Sequence, residues 1–318
     1  MPFETLQSNL FSPAVLAFFL GFIAVVFKSD LKLPDGLYQA VSVYLLLSLG
    51  IKGGAAFNTC SVDTFILPFF ITIGLGIILP FLAFSISRLF HYSRVDSSAI
   101  AAHYGSVSVV TFMTCQLFLD QLLVSYDKHT IALVALMEIP GLVIGLLLAQ
   151  KVYVSWWIEI KTILLSKSIF LLLGGIFIGF ISGEIGYKKV SPFFVDPFQG
   201  VLVLFMLEMG IFAALKMKEE SFIPKSIILM GLLLPLLNGV LAIVVCLFFN
   251  MSIGNTTLMA AMSASASYIA APAAVRLALP LANPSYYLTS AIVITFPFNL
   301  CIGIPFYYML TGYLAKFF

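Results

Sequence analysis

The stretch Ser263-Ala-Ser-Ala-Ser-Tyr-Ile-Ala-Ala-Pro272 lies inside an apolar run. A second stretch, His103-Tyr-Gly-Ser-Val-Ser-Val-Val-Thr111, carries its serines 157 residues earlier, so that Ser106 and Ser108 answer Ser263 and Ser265. Serine hydroxyls compete for backbone groups, glycine loosens the chain and proline removes a donor, so each stretch reads as a break in a helix. What surrounds the two breaks decides the fold.

The surroundings are lipid-soluble. Of 318 residues, 61% are hydrophobic and 9% charged, with a mean hydropathy of +1.11. A water-facing domain carries roughly a quarter charged residues, so this composition belongs in a bilayer. A crossing helix needs about 20 apolar residues, and unpaired backbone groups exclude open strands there. Ten segments qualify or nearly do: 12–28, 36–57, 64–90, 97–119, 129–156, 168–183, 197–217, 226–249, 256–280 and 285–315. The prediction is an all-α integral membrane protein of ten transmembrane helices, with the fourth and ninth interrupted.

Other landmarks recur at nearly the same offset. Pro140 of Glu138-Ile-Pro140 returns as Pro297, and Gly50 has a counterpart in Gly210. Small residues recur in membrane helices on packing grounds alone, which suffices for any single match. The ordered set favours two copies of five spans, residues 1–157 and 158–318. Because five is odd, the second copy enters the membrane inverted, the arrangement of many secondary transporters, and alternating access follows from it. With ten spans, eleven Lys and Arg fall on one side (28, 32, 88, 94, 151, 161, 167, 216, 218, 225, 276) and five on the other (52, 128, 188, 189, 316). The positive-inside rule then puts both termini outside the cytoplasm.

Several function classes drop out. A formal net charge of +2 offers no field for nucleic acid. Cys60, Cys115, Cys246 and Cys301 lack metal or disulfide spacing, His91, His103 and His129 are dispersed, and no HExxH, GxSxG or GxxxxGK occurs. Met1 to Ser12 lacks the basic start of a signal peptide, so the first apolar run is expected to remain as an anchor.

The breaks carry the chemistry. A broken helix exposes backbone N–H groups at the start of its second half, where the helix dipole is positive. Pro272 suits the first turn of such a half, and serine hydroxyls there either cap the backbone or donate to an oxyanion. Two such ends make a small anion site, while unwound carbonyls suit Na⁺. Candidate sodium contacts are Ser106, Thr111, Glu138, Ser263 and Ser265. The bland alternative has each serine bonded to its own preceding turn. Ionisable groups within spans are functional by default. Glu138 is a sodium or proton contact, or a protonated carboxyl held structurally; Glu208 faces a helix neighbour or a subunit partner. His103 is read as packed near the site, and Arg276 as the cytoplasmic end of the ninth span.

Particular stretches also match a known family. Ser12-Pro-Ala-Val-Leu-Ala-Phe18, Gly50-Ile-Lys-Gly-Gly54, Arg94-Val-Asp96, Gly105-Ser-Val-Ser108, Glu138-Ile-Pro140, Ser265-Ala-Ser-Tyr-Ile-Ala-Ala-Pro-Ala-Ala-Val-Arg276 and Ala282-Asn-Pro-Ser285 make the chain resemble the sodium-dependent bicarbonate transporter family, the SbtA-type permeases. The resemblance implies an elevator carrier with a gate domain (12–57 plus 168–217) and a core domain (64–156 plus 226–315). It implies a homotrimer in a bacterial inner membrane, importing bicarbonate or a similar small monovalent anion into the cytoplasm with Na⁺ as coupling ion. It places the anion contacts on Gly105, Ser106, Ser108, Ser265 and Ser267, to which Ala271 is added. There are departures: Tyr268 and Glu138 stand where the family's bicarbonate carriers have Asp, and only about Lys151 to Lys167 replaces a long cytoplasmic insert. That short segment weakens the expectation of a PII-like regulator.

Competing functions are a cation/proton exchanger using Glu138, an intramembrane enzyme using His103 or a serine, and a structural scaffold. No paired His/Asp constellation supports the enzyme, so the chain is not expected to be one. A scaffold leaves Glu138 and the twin breaks without a role.

Overall fold

The computed structural model describes residues 10–31, 33–34, 36–57, 62–149, 161, 165, 167–219, 223–268 and 271–318. Among these there are helices and no strands. In chain order they are α1 (Pro13–Val26), α2 (Leu37–Phe57), α3 (Val62–Leu89), α4 (Arg94–Gly105), α5 (Val109–Gln121) and α6 (Ile131–Leu147). Then follow α7 (Lys167–Phe194), α8 (Phe198–Glu219), α9 (Lys225–Phe248), α10 (Ile253–Ser263), α11 (Ala271–Ala278) and α12 (Pro284–Leu314). Most of 151–167 lies outside the described residues.

Seven of the described helices have the length and apolarity to cross a membrane, namely α2, α3, α6 with its preceding turn, α7, α8, α9 and α12. The 14 residues of α1 rise only about 21 Å, short of the ~30 Å hydrocarbon core. The pairs α4/α5 and α10/α11 are each split, so neither half reaches spanning length.

Two helix pairs are pressed together at small residues. On α2, a Cβ at Gly54 would stand 2.0 Å from the Ile176 carbonyl oxygen of α7. On α8, one at Gly210 would stand 1.9 Å from the Phe18 carbonyl oxygen of α1. Such approaches bring backbones into van der Waals contact where lipid supplies no hydrophobic drive. The broken helices pack elsewhere: α4 lies between α3 and α6, and α10 between α9 and α12.

Two polar clamps fix where the broken helices begin. Ser93 caps α4, and Asp96 in its first turn accepts the Asn283 amide at 2.8 Å, where Asn283 in turn caps α12. At the start of α10, Asn255 donates to the Asp127 carboxylate at 2.6 Å and accepts the Asp127 amide at 2.9 Å, just ahead of α6. The motif stretches around Asp96 and Asn283, far apart in sequence, thus meet directly. Basic side chains also tie helix ends together: Lys218 donates to the Val25 carbonyl, Lys167 to that of Gln39 and Arg94 to that of Leu148.

Three details differ from the sequence reading. The sixth span breaks at Gly183, its expected end, with a non-helical backbone (φ 59°, ψ −164°) that suits glycine, but a second helical segment then runs on to Phe194. In that second segment Lys188 pairs with Glu184 one turn away, and Tyr44 of α2 stacks on Phe194 while donating to the Phe193 carbonyl. The span predicted over 129–156 ends as helix at Leu147, with residues from 150 outside the described set. The last span carries two π-helical segments, Thr289–Thr295 and Asn299–Gly303, flanking Pro297.

Candidate functional site

The first break occupies Ser106 to Ser108. Gly105 closes α4 against Pro80, where a Cβ would come within 2.6 Å of the ring. Ser106 is extended (φ −97°, ψ 175°), and Ser108 caps α5 by accepting the Thr111 amide at 3.2 Å. That cap serves the third amide of the new helix. Those of Val109 and Val110 belong to the turn with no intrahelical acceptor. Val109 and Val110 also line a small apolar cavity of about 10 Å³, with Ser42, Leu45 and Leu46 of α2, Phe205 of α8 and Met113.

The second break runs from Ala264 to the start of α11 at Ala271, with 269–270 outside the described residues. Ser267 accepts the Ala271 amide at 3.3 Å. Two direct links join the breaks. The Ser108 amide donates to Ser265 Oγ at 2.8 Å, and the Ser267 amide donates to the His103 carbonyl at 2.8 Å. The Ser265 hydroxyl in turn donates a hydrogen bond to the Met262 carbonyl at 2.7 Å. The serine repeat seen in the sequence is therefore a contact in space.

Neighbouring helices steady the loosened carbonyls. Asn238 of α9 donates to the Tyr104 carbonyl at 3.3 Å, and Asn299 of α12 donates to Ala264 at 2.8 Å. Thr295 lies within 2.7 Å of both the Tyr104 hydroxyl and the Gly231 carbonyl. All of these side chains are buried.

Around this frame several buried polar atoms have no hydrogen-bond partner, among them Ser106 Oγ, Ser263 Oγ and Glu138 Oε2, and also Asn238 Oδ1, His103 Nε2 and the Tyr268 hydroxyl. Such groups cost about 1–3 kcal/mol each unless something pairs with them. Glu138 shares a face of α6 with Gly141 one turn on, and a Cβ at Gly141 would sit 1.9 Å from the Gly105 carbonyl oxygen and 2.9 Å from the Ser106 amide. The carboxyl thus belongs to the helix face that presses on the first break. The donor set of a carboxylate, hydroxyls and carbonyls is all oxygen, which suits a hard monovalent cation. The amides of the α5 N-terminus suit an anion.

A family model matches residues 13–312, described as the Na⁺-dependent bicarbonate transporter superfamily. The chain belongs to that superfamily. No curated protein matches it. This member of the superfamily is therefore a multi-pass membrane transporter of a sodium-dependent, bicarbonate-handling class.

Of the residues singled out from sequence, Ser106, Ser108, Ser263, Ser265 and Ser267 all line the two breaks, and Gly105 forms the edge of the first. Ser108, Ser265, Ser267 and Ala271 already hold backbone bonds, whereas Ser106 and Ser263 do not. Thr111 is buried in the first turn of α5. His103 is packed as expected, bonded to the Ala99 carbonyl and 4.4 Å from the Tyr287 ring. Tyr268 stacks edge-on against Phe296 at 5.2 Å, and its hydroxyl is buried without a partner. Sequence reasoning passed over Asn238, Thr295 and Asn299. The signal was available, since an amide inside a membrane helix is itself unusual.

Proposed function

We propose that this chain is a sodium-coupled symporter that carries bicarbonate, or a similar small monovalent anion, into the cytoplasm by an elevator movement. The observation that carries it is the direct meeting of two serine-lined helix breaks, with Ser106 Oγ, Ser263 Oγ and Glu138 Oε2 left unpaired beside them. The anion is held by the α5 and α11 N-termini with Gly105, Ser106, Ser108, Ser265, Ser267 and Ala271. Sodium is taken by Ser106, Thr111, Glu138, Ser263 and Ser265. Each ion offsets the other's charge, so the loaded site crosses the low-dielectric layer at lower cost than either alone.

Ten spans as two inverted copies of five, 1–157 and 158–318, are supported by matched packing. Adding α1 and the two split pairs to the seven long helices gives ten. The contact of α1 with α8 mirrors that of α2 with α7, and the clamp at Asp96 mirrors the one at Asp127. We take 12–57 plus 168–217 as a gate and 64–156 plus 226–315 as a core, a division supported by the close packing of α1 on α8 and of α2 on α7, with the small cavity beside Val109 lined from both groups. The grouping of basic helix ends favours both termini outside the cytoplasm, in a bacterial inner membrane. Assembly as a homotrimer is carried from the family resemblance.

Uptake of radiolabelled bicarbonate into proteoliposomes tests the reading. Accumulation is expected when an inward sodium gradient is imposed, and equal rates with potassium in place of sodium overturn it. Cation/proton exchange by Glu138 predicts instead proton movement that persists without any anion.

A further inference from the structure

A second cavity lies away from the breaks. It holds about 140 Å³ and is walled by Ser48 and Lys52 of α2, Gln116 and Asp120 of α5, and the α7–α8 turn around Phe194 to Gln199. In that measure one water takes roughly 10–15 Å³, so a small oxyanion fits with several waters. The polar groups come in two facing pairs at helical spacing, Ser48 with Lys52 and Gln116 with Asp120.

None of the breaks' machinery uses these side chains. Ser48 Oγ and Gln116 Nε2 are buried and have no partner, at 2% and 5% residue exposure. Lys52 makes no ion pair among the described residues. Asp120 accepts the Tyr126 hydroxyl at 2.9 Å. Burial and the Asp120 carboxylate push the Tyr126 phenol up, so it stays a donor. That leaves the second carboxylate oxygen as an acceptor. The wall therefore offers a cation and two neutral donors together with one carboxylate. A fully deprotonated anion meets repulsion at Asp120. An oxyanion that keeps one proton satisfies all four groups, giving its O–H to Asp120 and taking hydrogen bonds from Lys52, Gln116 and Ser48.

Met113 lines both this cavity and the small one beside Val109. We propose that the Ser48–Lys52–Gln116–Asp120 cavity is a second binding station for a small monoprotonated oxyanion of the bicarbonate class, on the route to the α5 N-terminus. This deepens the transport reading and rests on it for the route, but binding at the station can be read separately.

Gln199 borders the cavity outside the four polar groups, so a cysteine there reports on occupancy. With the four native cysteines replaced by alanine, the rate at which Gln199→Cys is modified by an anionic thiosulfonate reagent is measured in proteoliposomes with and without millimolar bicarbonate. Bicarbonate is expected to slow modification several-fold, and nitrate of equal concentration not to. The protection should survive Ser106→Ala with Ser263→Ala, which damages the breaks, and vanish in Lys52→Gln and Asp120→Asn. In uptake, Lys52→Gln should raise KM by about tenfold, the worth of one charge-assisted hydrogen bond, with the maximal rate little changed. No protection by bicarbonate, equal protection by nitrate, or protection that persists in Lys52→Gln overturns the station. Absence of sodium-driven uptake with protection intact overturns the transport reading and leaves the station standing.

Discussion

The two breaks are built from matching serines and yet are not alike. The first spans Ser106 to Ser108, whereas in the second the described residues Ala264 to Tyr268 are non-helical and helix is described again from Ala271. The second half supplies every side chain that steadies a loosened carbonyl, Asn238 and Asn299, and it also supplies Thr295. At 157 residues before Thr295 stands Glu138, and before Asn238 and Asn299 stand Phe81 and Leu142. The second half provides most of the bonds that hold the breaks, although Asn238 Oδ1, Ser263 Oγ and the Tyr268 hydroxyl stay unpaired. The first half adds an unpaired carboxyl. A site that must hold and then release ions needs both bonded and unpaired groups, because a frame without bonds would be unstable and a site without spare polar groups would bind nothing.

Substitutions at matched positions sharpen that contrast. Glu138→Gln should have the largest effect on activity: loss of a charged ligand, about 1.5–3 kcal/mol, corresponds to a ten- to hundredfold drop in sodium-dependent uptake. A melting temperature close to the parent's is expected alongside it, and a large loss of stability would mean that the carboxyl is structural. Thr295→Val at the matched position should behave oppositely. It removes two bonds and strands the Tyr104 hydroxyl and the Gly231 carbonyl, costing about 2 kcal/mol in thermal unfolding measured in detergent.

Gly141→Ala drives a methyl into the Gly105 carbonyl. Overpacking of this kind costs about 1–3 kcal/mol, so reduced thermal stability is expected, whereas Phe298→Leu at the corresponding position should be milder. Ser265→Ala leaves the Ser108 amide without its acceptor and should cost about 1–2 kcal/mol. Smallest of all in stability are Ser106→Ala and Ser263→Ala, expected within about 0.5 kcal/mol of the parent because neither hydroxyl has a bond to lose. Both should still lower uptake, and unchanged sodium dependence in the double variant would remove these hydroxyls from the site.

Most of the helices were legible because hydropathy and length are properties of local sequence. The breaks were legible too, since Gly105, the serines and Pro272 act on their own backbone. The helical segment of α7 past Gly183 was not, since its partner Tyr44 reaches Phe193 and Phe194 from another helix. Nor did apolar patterning disclose the π-helical segments of α12. Asn299, which opens the second of them, reaches the Ala264 carbonyl across the fold. Within the site, Ser106 and Ser108 look interchangeable in sequence. Only their partners separate an unpaired hydroxyl from a helix cap.

The clamps at Asp96–Asn283 and Asp127–Asn255 each tie a residue of the first half to one of the second. During synthesis, the leading half therefore waits for residues that have not yet left the ribosome before either of its anchor points closes. Final assembly is set by completion of the whole polypeptide, and separately translated halves would have to find each other within the lipid to recreate it.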